Sequence, residues 1–175
     1  AALDHDGKLV WRREVVPHDF DVAMAVSPVL VGEAVVLVCD VVDAKKSRLV
    51  GFDRATGEPK WERSRAGNGF CHSTPTLATI AGKGQLLVAG ADALEGVDPA
   101  TGETLWTAEA SGDTVSPVVG GGVVYIDSGR GSRGTAIDPT GTGSVTKTHT
   151  RWAVGNVPQG FSSPVIAGGR LYRLH

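Results

Sequence analysis

The feature that most constrains the fold of this chain is an internal repeat of 42 to 50 residues. Four tryptophans mark the repeat, spaced by 50, 45 and 46 residues: Trp11, Trp61, Trp106 and Trp152. A second marker, Ser or Thr before Pro, keeps the same order with prolines 47, 42 and 47 residues apart: Ser27-Pro28, Thr74-Pro75, Ser116-Pro117 and Ser163-Pro164. Because two independent markers keep one period, we predict a row of similar structural units.

A third marker precedes the tryptophans and consists of Asp, two further residues, Thr-Gly, three further residues and Trp. Two copies are complete, Asp53 to Trp61 and Asp98 to Trp106. The copy from Asp4 to Trp11 is one residue shorter, and the copy that begins at Asp138 carries a Thr-rich insertion. We predict a turn in which the Asp side chain bonds nearby backbone N–H groups while Gly takes a positive φ.

Each repeat is predicted to contain four short strands. The first begins at the Pro, which cannot donate to a strand ladder and is tolerated at a strand start. A Gly turn leads to a β-branched second strand such as residues 123–126, the third ends at the Asp, and the fourth carries the Trp. No segment shows helical periodicity over three turns, so the fold class is predicted to be all β.

A four-stranded repeat of this length is the size of one β-propeller blade. The Gly-His and Trp-Asp pairs of WD40 repeats are absent, and the spacing does not follow kelch repeats. The segments Gly51 to Trp61 and Gly96 to Trp106 instead resemble the quinoprotein-like propellers, built from PQQ-like repeats. That family includes quinone-dependent alcohol dehydrogenases and the assembly lipoprotein of the outer-membrane β-barrel machinery. The resemblance implies that Trp11, Trp61, Trp106 and Trp152 dock flat against neighbouring blades.

The resemblance implies one partial propeller domain over residues 1–175 with four blade equivalents of four antiparallel strands. The blade repeats are predicted at residues 25–64, 74–109 and 115–153, and at 162–175 combined with 1–14. The chain enters at a third strand and leaves after a second, so a half blade stands at each end. An initial Ala in place of Met suggests processing or a fragment.

The half blades would leave strand edges and apolar faces exposed, so we expect them to pair. The second strand near Leu171 pairs either with the entry strand near Leu3 of the same chain or with that of a second copy. If the 175 residues are the whole protein, we favour a homodimer, because two copies would give eight blades, the number common in the quinone-dependent enzymes.

Composition disfavours two classes of partner. The formal net charge is -2, which leaves no basic excess for nucleic acid. The longest apolar stretches, such as residues 34–39, fall short of the roughly 20 residues that span a bilayer. The family resemblance leads us to expect an exported, periplasmic protein. Cys39 and Cys71 could form a disulfide or stay as two buried thiols, and their spacing does not decide between these states.

No catalytic, metal or cofactor site is predicted. Residues Gly129 to Gly134 match the Gly-x-Gly-x-x-Gly dinucleotide fingerprint, but a strand pattern follows where the fingerprint needs a helix, so we predict a hairpin. His18 with Asp19 and Asp21 comes nearest to a metal or acid–base group. The family suggests PQQ with calcium as an alternative, but its dehydrogenases hold the quinone against two adjacent cysteines, and this chain has none.

Propellers carry function on loops at one face, because packing consumes the strands. The distance from Trp to the next Pro varies most, at 17, 14, 11 and 12 residues, so these connections are predicted to form the binding face. The candidate residues are His18, Asp19, Phe20, Asp21, Asn68, Phe70, His72, Asp113, Asn156, Gln159 and Phe161. Phe70 and Phe161 could instead plug the channel or pack under their own loops.

The predicted function is a non-catalytic, scaffolding propeller that binds a protein or small ligand. The alternative is a quinone-dependent oxidoreductase related to alcohol dehydrogenases, or a decayed relative of one. A third interpretation is a sensor or scaffold region of a longer chain.

Overall fold

The computed structural model describes residues 1–15, 25–65 and 69–174. The strands are β1 (Ala2–Leu3), β2 (Leu9–Trp11), β3 (Val29–Val31), β4 (Ala34–Cys39), β5 (Arg48–Asp53), β6 (Pro59–Ser64), β7 (Thr76–Ile80), β8 (Lys83–Ala89), β9 (Ala93–Val97), β10 (Thr104–Glu109), β11 (Val118–Gly120), β12 (Val123–Ile126), β13 (Ser132–Ile137), β14 (Gly143–Ser144), β15 (Thr150–Val157), β16 (Val165–Ala167) and β17 (Arg170–Tyr172). The helices of this part are a 3₁₀ turn at Ala44–Lys46 and a single α-turn, α1, at Thr146–His149. Within it, no helix has the length and apolar character to cross a bilayer.

Consecutive strands form separate antiparallel sheets. The first sheet is β3-β4-β5-β6, the second is β7-β8-β9-β10, and the third is β11-β12-β13-β15. Two-stranded sheets β1-β2 and β16-β17 stand at the two ends, and β14 adds to β10 in parallel. The predicted all-β chain of four-stranded units is therefore confirmed. In the described chain, β1 and β17 belong to different sheets. The alternative prediction, that the two ends pair within one chain, is therefore wrong.

The predicted Asp turn is present between the third and fourth strands. Asp53 Oδ1 accepts hydrogen bonds from the backbone N–H groups of Ala55 and Thr56, both at 3.0 Å. Gly57, which ends this turn, has φ +71°. Asp98 makes the same bonds at 2.7 and 3.3 Å, and the turn's final glycine, Gly102, has φ +78°.

Tryptophans link successive sheets by lying on these turn glycines. A Cβ atom at Gly57 would lie 2.6 Å from the indole of Trp11. One at Gly102 would lie 2.5 Å from the indole of Trp61. Trp11 Nε1 also donates to the Arg54 carbonyl at 2.9 Å, within the turn that it covers. Each of these two turns therefore needs Gly both for its φ and for the close approach of a ring.

The junction between the second and third sheets is built differently. Trp106 is fully buried and donates to Gln85 Oε1 at 2.8 Å. The turn glycine of the third sheet, Gly141, is instead covered by Val145 and His149, which come from the insertion around α1. Val145 belongs to the same buried cluster as Trp106. The Thr-rich insertion thus fills this junction and is not a loose addition.

Both cysteines are free and buried, in different clusters. Burial raises the pKa of the Cys39 thiol to about 11 and that of the Cys71 thiol to about 12. The sequence leaves open a disulfide or two buried thiols, and the structure has the two buried thiols.

A buried ion network joins the first and second sheets. The Arg65 and Asp40 side chains are fully buried, and Arg65 Nε and Nη2 each donate to Asp40 at 2.9 Å. Arg65 also donates to Glu95 at 2.7 Å and to the Ala89 carbonyl at 3.1 Å, both in the second sheet. Burial raises the pKa of the Asp40 carboxyl, and the hydrogen bonds from Arg65 oppose that rise. Arg65 therefore neutralises carboxylates on two sheets at once.

Replacing Gly102 with Ala is expected to lower the free energy of unfolding more than replacing Gly82 with Ala. Both glycines have φ +78°, but a Cβ at Gly82 meets nothing within 4 Å among the described residues, whereas at Gly102 it meets Trp61. Overpacking of this kind costs about 1–3 kcal/mol, and urea unfolding of the two variants measures the difference. Equal losses would show that the indole contact contributes nothing beyond the φ of the turn.

Replacing Arg65 with Met is expected to destabilise the chain by about 3–5 kcal/mol, because removing one partner leaves buried carboxylates unpaired. The control is Arg54→Met, whose ion pair with Glu33 is exposed, with side-chain exposures of 48% and 70%. Exposed pairs of this kind contribute about 1 kcal/mol or less. Urea midpoints of the two variants test this, and similar midpoints would contradict a structural role for the buried network.

Candidate functional site

Strand direction places two kinds of connection at one edge of the sheets. Antiparallel pairing alternates strand direction, so the second and fourth strands of each unit end on the same side. We call this side the loop edge, and its described parts are residues 40–47, 69–75, 90–92, 110–117, 127–131 and 158–164. The opposite side, the turn edge, carries the Asp turns at residues 4–8, 53–58, 98–103 and 138–141.

Backbone hydrogen bonds hold neighbouring connections of the loop edge together. His72 N donates to the Asp113 carbonyl at 2.6 Å, which joins the connection after the second-copy Trp to the one after the third. Gly160 N donates to the Gly129 carbonyl at 2.8 Å, which joins the next connection to a hairpin of the third sheet. The loop edge is therefore one bonded surface across at least two sheets.

The Ser/Thr-Pro markers fix where these connections enter the first strands. Ser27 N donates to Thr74 Oγ1 at 3.1 Å, and Ser116 N donates to Ser163 Oγ at 2.9 Å. Each hydroxyl thus accepts from the corresponding residue of the preceding unit. This contact gives a physical reason for a hydroxyl residue before the Pro.

Five residues on the loop edge are linked by side-chain contacts and one backbone hydrogen bond, and we call them the Arg130 cluster: Phe70, His72, Asp113, Arg130 and Phe161. Phe70 and His72 meet edge to face, with ring centroids 4.3 Å apart and an interplanar angle of 88°. The His72 backbone N–H donates to the backbone carbonyl of Asp113, and the Asp113 carboxylate pairs with Arg130. The Arg130 guanidinium carbon lies 5.9 Å from the centre of the Phe161 ring, within cation–π range.

The Arg130 cluster is open to solvent at one end. Phe161 is 57% exposed, so it does not pack under its own loop as the alternative interpretation supposed. The Arg130 side chain is 56% exposed and the Asp113 side chain 23%. The cluster therefore presents guanidinium donors and an aromatic ring to solvent, and the Asp113 carboxylate pairs with the guanidinium.

A shallow depression of about 430 Å³ begins at the same edge and runs along the first strands of the last three sheets. Its walls include Ser116 and Pro164, where the connections enter those strands, and Leu77, Val119 and Ile166 further along. The lining is mostly apolar, so it suits a partner's side chains better than an ion.

Two further predicted site residues, Asn156 and Gln159, are not part of the Arg130 cluster, and the remaining five fall outside the described residues. Asn156 is exposed near the end of β15 with φ +57°, and exposed Gln159 has its backbone N 3.5 Å from a Cβ position at Gly131. Residues His18, Asp19, Phe20, Asp21 and Asn68 lie outside the described residues.

Sequence reasoning missed Arg130, which lies within the Gly129 to Gly134 motif. The motif is confirmed as a hairpin between β12 and β13, with no helix after it. A Cβ at Gly134 would lie 2.1 Å from Tyr125 Oη, so this glycine serves packing. The strand topology could have indicated Arg130, because hairpins between second and third strands open at the same edge as the variable connections.

Sequence reasoning also missed an ion pair that ties the last two strands to the third sheet. Arg173 donates to both carboxylate oxygens of Asp127, at 2.8 and 3.0 Å, and to the Gly160 carbonyl at 3.1 Å. The Arg173 side chain is 9% exposed and that of Asp127 1%, so the pair is largely shielded from water. The hydrogen bonds to Asp127 raise the pKa of Arg173.

Two observations on the described residues bear on a quinone with calcium. Cys39 and Cys71 lie in separate buried clusters, so they cannot form the disulfide of adjacent cysteines that the family's dehydrogenases use. In the part of the chain that the structure describes, no three His, Cys, Asp or Glu residues come together in a way that could hold a metal ion.

Solved structures similar to this chain include BamB from Moraxella catarrhalis, with a TM-score of 0.66 and 21% identity over 97% of this chain and 50% of that one. The quinohemoprotein alcohol dehydrogenase ADHIIG from Pseudomonas putida HK5 gives a TM-score of 0.57 and 17% identity over 86% of this chain and 28% of that one. A europium-containing methanol dehydrogenase gives a TM-score of 0.51 and 18% identity over 73% and 24%. This chain thus spans half the length of the Moraxella BamB chain.

No curated protein sequence matches this chain. A family model described as outer membrane protein assembly factor BamB matches residues 1–174, almost the whole sequence. Together with the solved structures, this match confirms the β-propeller fold and the PQQ-like repeat family that the Asp turns and tryptophans predicted. The chain belongs to the outer membrane protein assembly factor BamB family of β-propellers.

Proposed function

We propose that this chain is a non-catalytic, protein-binding scaffold that takes its partner on the loop edge, through the Arg130 cluster. The observation that carries the proposal is an exposed guanidinium held between Asp113 and the exposed ring of Phe161. Arg and aromatic residues dominate binding energy at protein interfaces, because they combine large contact area with directed hydrogen bonds. An Arg fixed in place by a carboxylate and a ring loses less conformational entropy on binding.

Carboxylates at both edges of the sheets are held in structural contacts. On the turn edge, backbone hydrogen bonds from Thr56 and Ala55 lower the pKa of Asp53, and Asp138 is held by Thr140 and Arg151, so that its pKa falls to about 2. On the loop edge, Asp40 and Asp127 are paired with buried arginines. The proposal therefore rests on the exposed Arg130 and Phe161 side chains and not on a difference in carboxylates.

The chemistry of the Arg130 cluster indicates what it would bind. Guanidinium N–H groups suit carboxylates and backbone carbonyls, and the neighbouring ring suits an aromatic or aliphatic side chain. The apolar depression beside it would accept further side chains. We therefore propose a polypeptide partner with acidic and aromatic residues close together.

The family description, an outer membrane protein assembly factor, supports a role in contact with other proteins. We extend to this chain only the general role of a protein-binding scaffold, and with it an exported, periplasmic location. The oxidoreductase alternative is not proposed, because Cys39 and Cys71 lie in separate buried clusters and the two dehydrogenases match over only 28% and 24% of their chains.

A closed propeller would bring the loop edges of all its blades around one channel. This chain supplies three four-stranded sheets and two halves, and it spans half of a BamB chain of the same fold. We propose that the remaining blades come either from a second copy in a homodimer or from further residues of a longer chain, the two alternatives that the sequence leaves open.

Peptides selected from a random library displayed on phage against the whole chain test the binding proposal. We expect the selected peptides to be rich in Asp or Glu next to aromatic residues. Arg130→Ala and Phe161→Ala should each weaken their binding by about tenfold or more, as at interface hot spots, without lowering the melting temperature by more than about 3 °C.

The matched control for these variants is Arg54→Ala, which removes an exposed, ion-paired arginine from the turn edge. It should leave peptide binding unchanged. Peptides that lose affinity with Arg54→Ala but keep it with Arg130→Ala would show that the binding face is on the turn edge, which would contradict the proposal.

A further inference from the structure

The repeat allows the junction between the first and second sheets to be compared with the junction between the second and third. Arg65 and Ala110 each stand four residues after the tryptophan of their repeat. Arg65 N donates to the Ser47 carbonyl at 2.8 Å, and Ala110 N donates to the Asp92 carbonyl at 3.2 Å. Both acceptors come directly before the third strand of their sheet. Ala110 is therefore the structural counterpart of Arg65 at the next junction.

The partner of Arg65 on the following sheet also has a different counterpart. Glu95, which accepts a hydrogen bond from Arg65 at 2.7 Å, stands three residues before the turn Asp of its repeat. Thr135 holds that position in the third sheet. The second of these junctions thus has Ala and Thr where the first has a fully buried guanidinium and a buried carboxylate.

A depression of about 310 Å³ lies at the junction of the second and third sheets, and we call it the second-junction depression. Both replaced positions belong to its lining, which consists of Asp92, Glu109, Ala110, Ser111, Arg133 and Thr135. Ala and Thr are shorter than Arg and Glu, which accounts for the open space. This volume is at the lower end of the range for ligand pockets, so it suits one side chain better than a large molecule.

The hydroxyl of Thr135 indicates that the depression takes a polar group. Thr135 is only 3% exposed, and no hydrogen bond of its hydroxyl is found among the described residues. Buried hydroxyls nearly always have a partner. Thr135 lines the depression together with Ala110 of the preceding sheet, so its side chain faces the same way as that of its counterpart Glu95.

The charges around the second-junction depression favour a cation. Asp92 and Glu109 are exposed carboxylates of the second sheet, and neither forms an ion pair with a described residue. Arg133 is the single basic residue of the lining, so two carboxylates stand against one guanidinium. Asp92 lies on the hairpin between second and third strands, as does Asp40, which pairs with Arg65 in the first sheet.

We propose that the second-junction depression binds the guanidinium group of an arginine side chain from a polypeptide partner. The guanidinium donates to Thr135 and to the carboxylates of Asp92 and Glu109, as Arg65 donates to its own partners one junction earlier. Arginine suits this site better than lysine, because its planar group carries five donors in a fixed fork. The site shares no residue with the Arg130 cluster, so it goes beyond the proposed function.

The probe that tests this inference is N-acetyl-arginine amide, titrated into the whole, isotope-labelled chain and followed by NMR. Backbone amide shifts at residues 92, 109–111 and 135 should report binding, with a dissociation constant in about the millimolar range for a single side chain. N-acetyl-citrulline amide has nearly the same shape without the charge and should bind about tenfold more weakly or worse. N-acetyl-lysine amide should also bind more weakly than the arginine compound.

Two variants remove the proposed carboxylate contacts one at a time. Asp92→Asn and Glu109→Gln should each raise the dissociation constant of N-acetyl-arginine amide about threefold or more, as expected for partly exposed ion pairs. The matched control is Glu103→Gln, which removes an exposed carboxylate from the turn edge. It should leave the dissociation constant unchanged.

Thr135→Val separates binding from folding, because valine keeps the shape of threonine and removes the hydroxyl. A buried hydroxyl without a partner contributes nothing to stability, so the urea midpoint should stay the same or rise. The dissociation constant of N-acetyl-arginine amide should rise about threefold, because one hydrogen bond to the guanidinium is lost. A lower urea midpoint with unchanged binding would contradict the role of this hydroxyl.

Ala110→Arg places an arginine at the position that corresponds to Arg65. Its guanidinium should fill the second-junction depression from within, so that N-acetyl-arginine amide no longer shifts the amides of residues 92 and 135. If this larger side chain unfolds the protein, the variants at Asp92, Glu109 and Thr135 still decide.

Equal affinity for the arginine and citrulline compounds, or unchanged affinity in both Asp92→Asn and Glu109→Gln, would overturn the proposal. Free arginine that binds about tenfold more tightly than the capped compound would show a small-molecule site and overturn the polypeptide source. Arg130→Ala should leave the binding of N-acetyl-arginine amide unchanged. Selected peptides that bind without Arg130 would therefore contradict the proposed function alone, and failed titration of the capped arginine would contradict this inference alone.

Discussion

A tryptophan ring lying on a glycine turn of the next sheet is the contact on which the order of the sheets depends. A small antiparallel sheet has two faces, and each needs a neighbour to exclude water. Trp11 and Trp61 supply that neighbour at two junctions, where the ring lies within 2.6 Å of a Cβ position. Side chains larger than hydrogen cannot occupy these positions, so the sequence period of Trp and Gly is a direct consequence of sheet packing.

At the remaining junctions, other side chains exclude water between the sheets. Between the second and third sheets, Val145 and His149 cover Gly141, and Trp106 is buried against Gln85. Buried arginine side chains also join neighbouring sheets, because one guanidinium group can donate to carboxylates and backbone carbonyls of both. These junctions join the sheets that carry the loop edge, and the proposed binding role of the Arg130 cluster requires such a support.

The sequence predicts what is local and misses what is assembled across sheets. The Asp turns follow from contacts two or three residues apart, so Asp98, Thr101 and Gly102 are sufficient to indicate them. Arg130 pairs with a carboxylate 17 residues away and Arg65 with one 30 residues away, and no spacing rule identifies such partners. The strand topology could have indicated Arg130, since it places hairpins and variable connections at one edge. The repeat pattern does not show that the Thr-rich insertion before Trp152 is structural, because the packing partners of Val145 include Trp106 of another sheet.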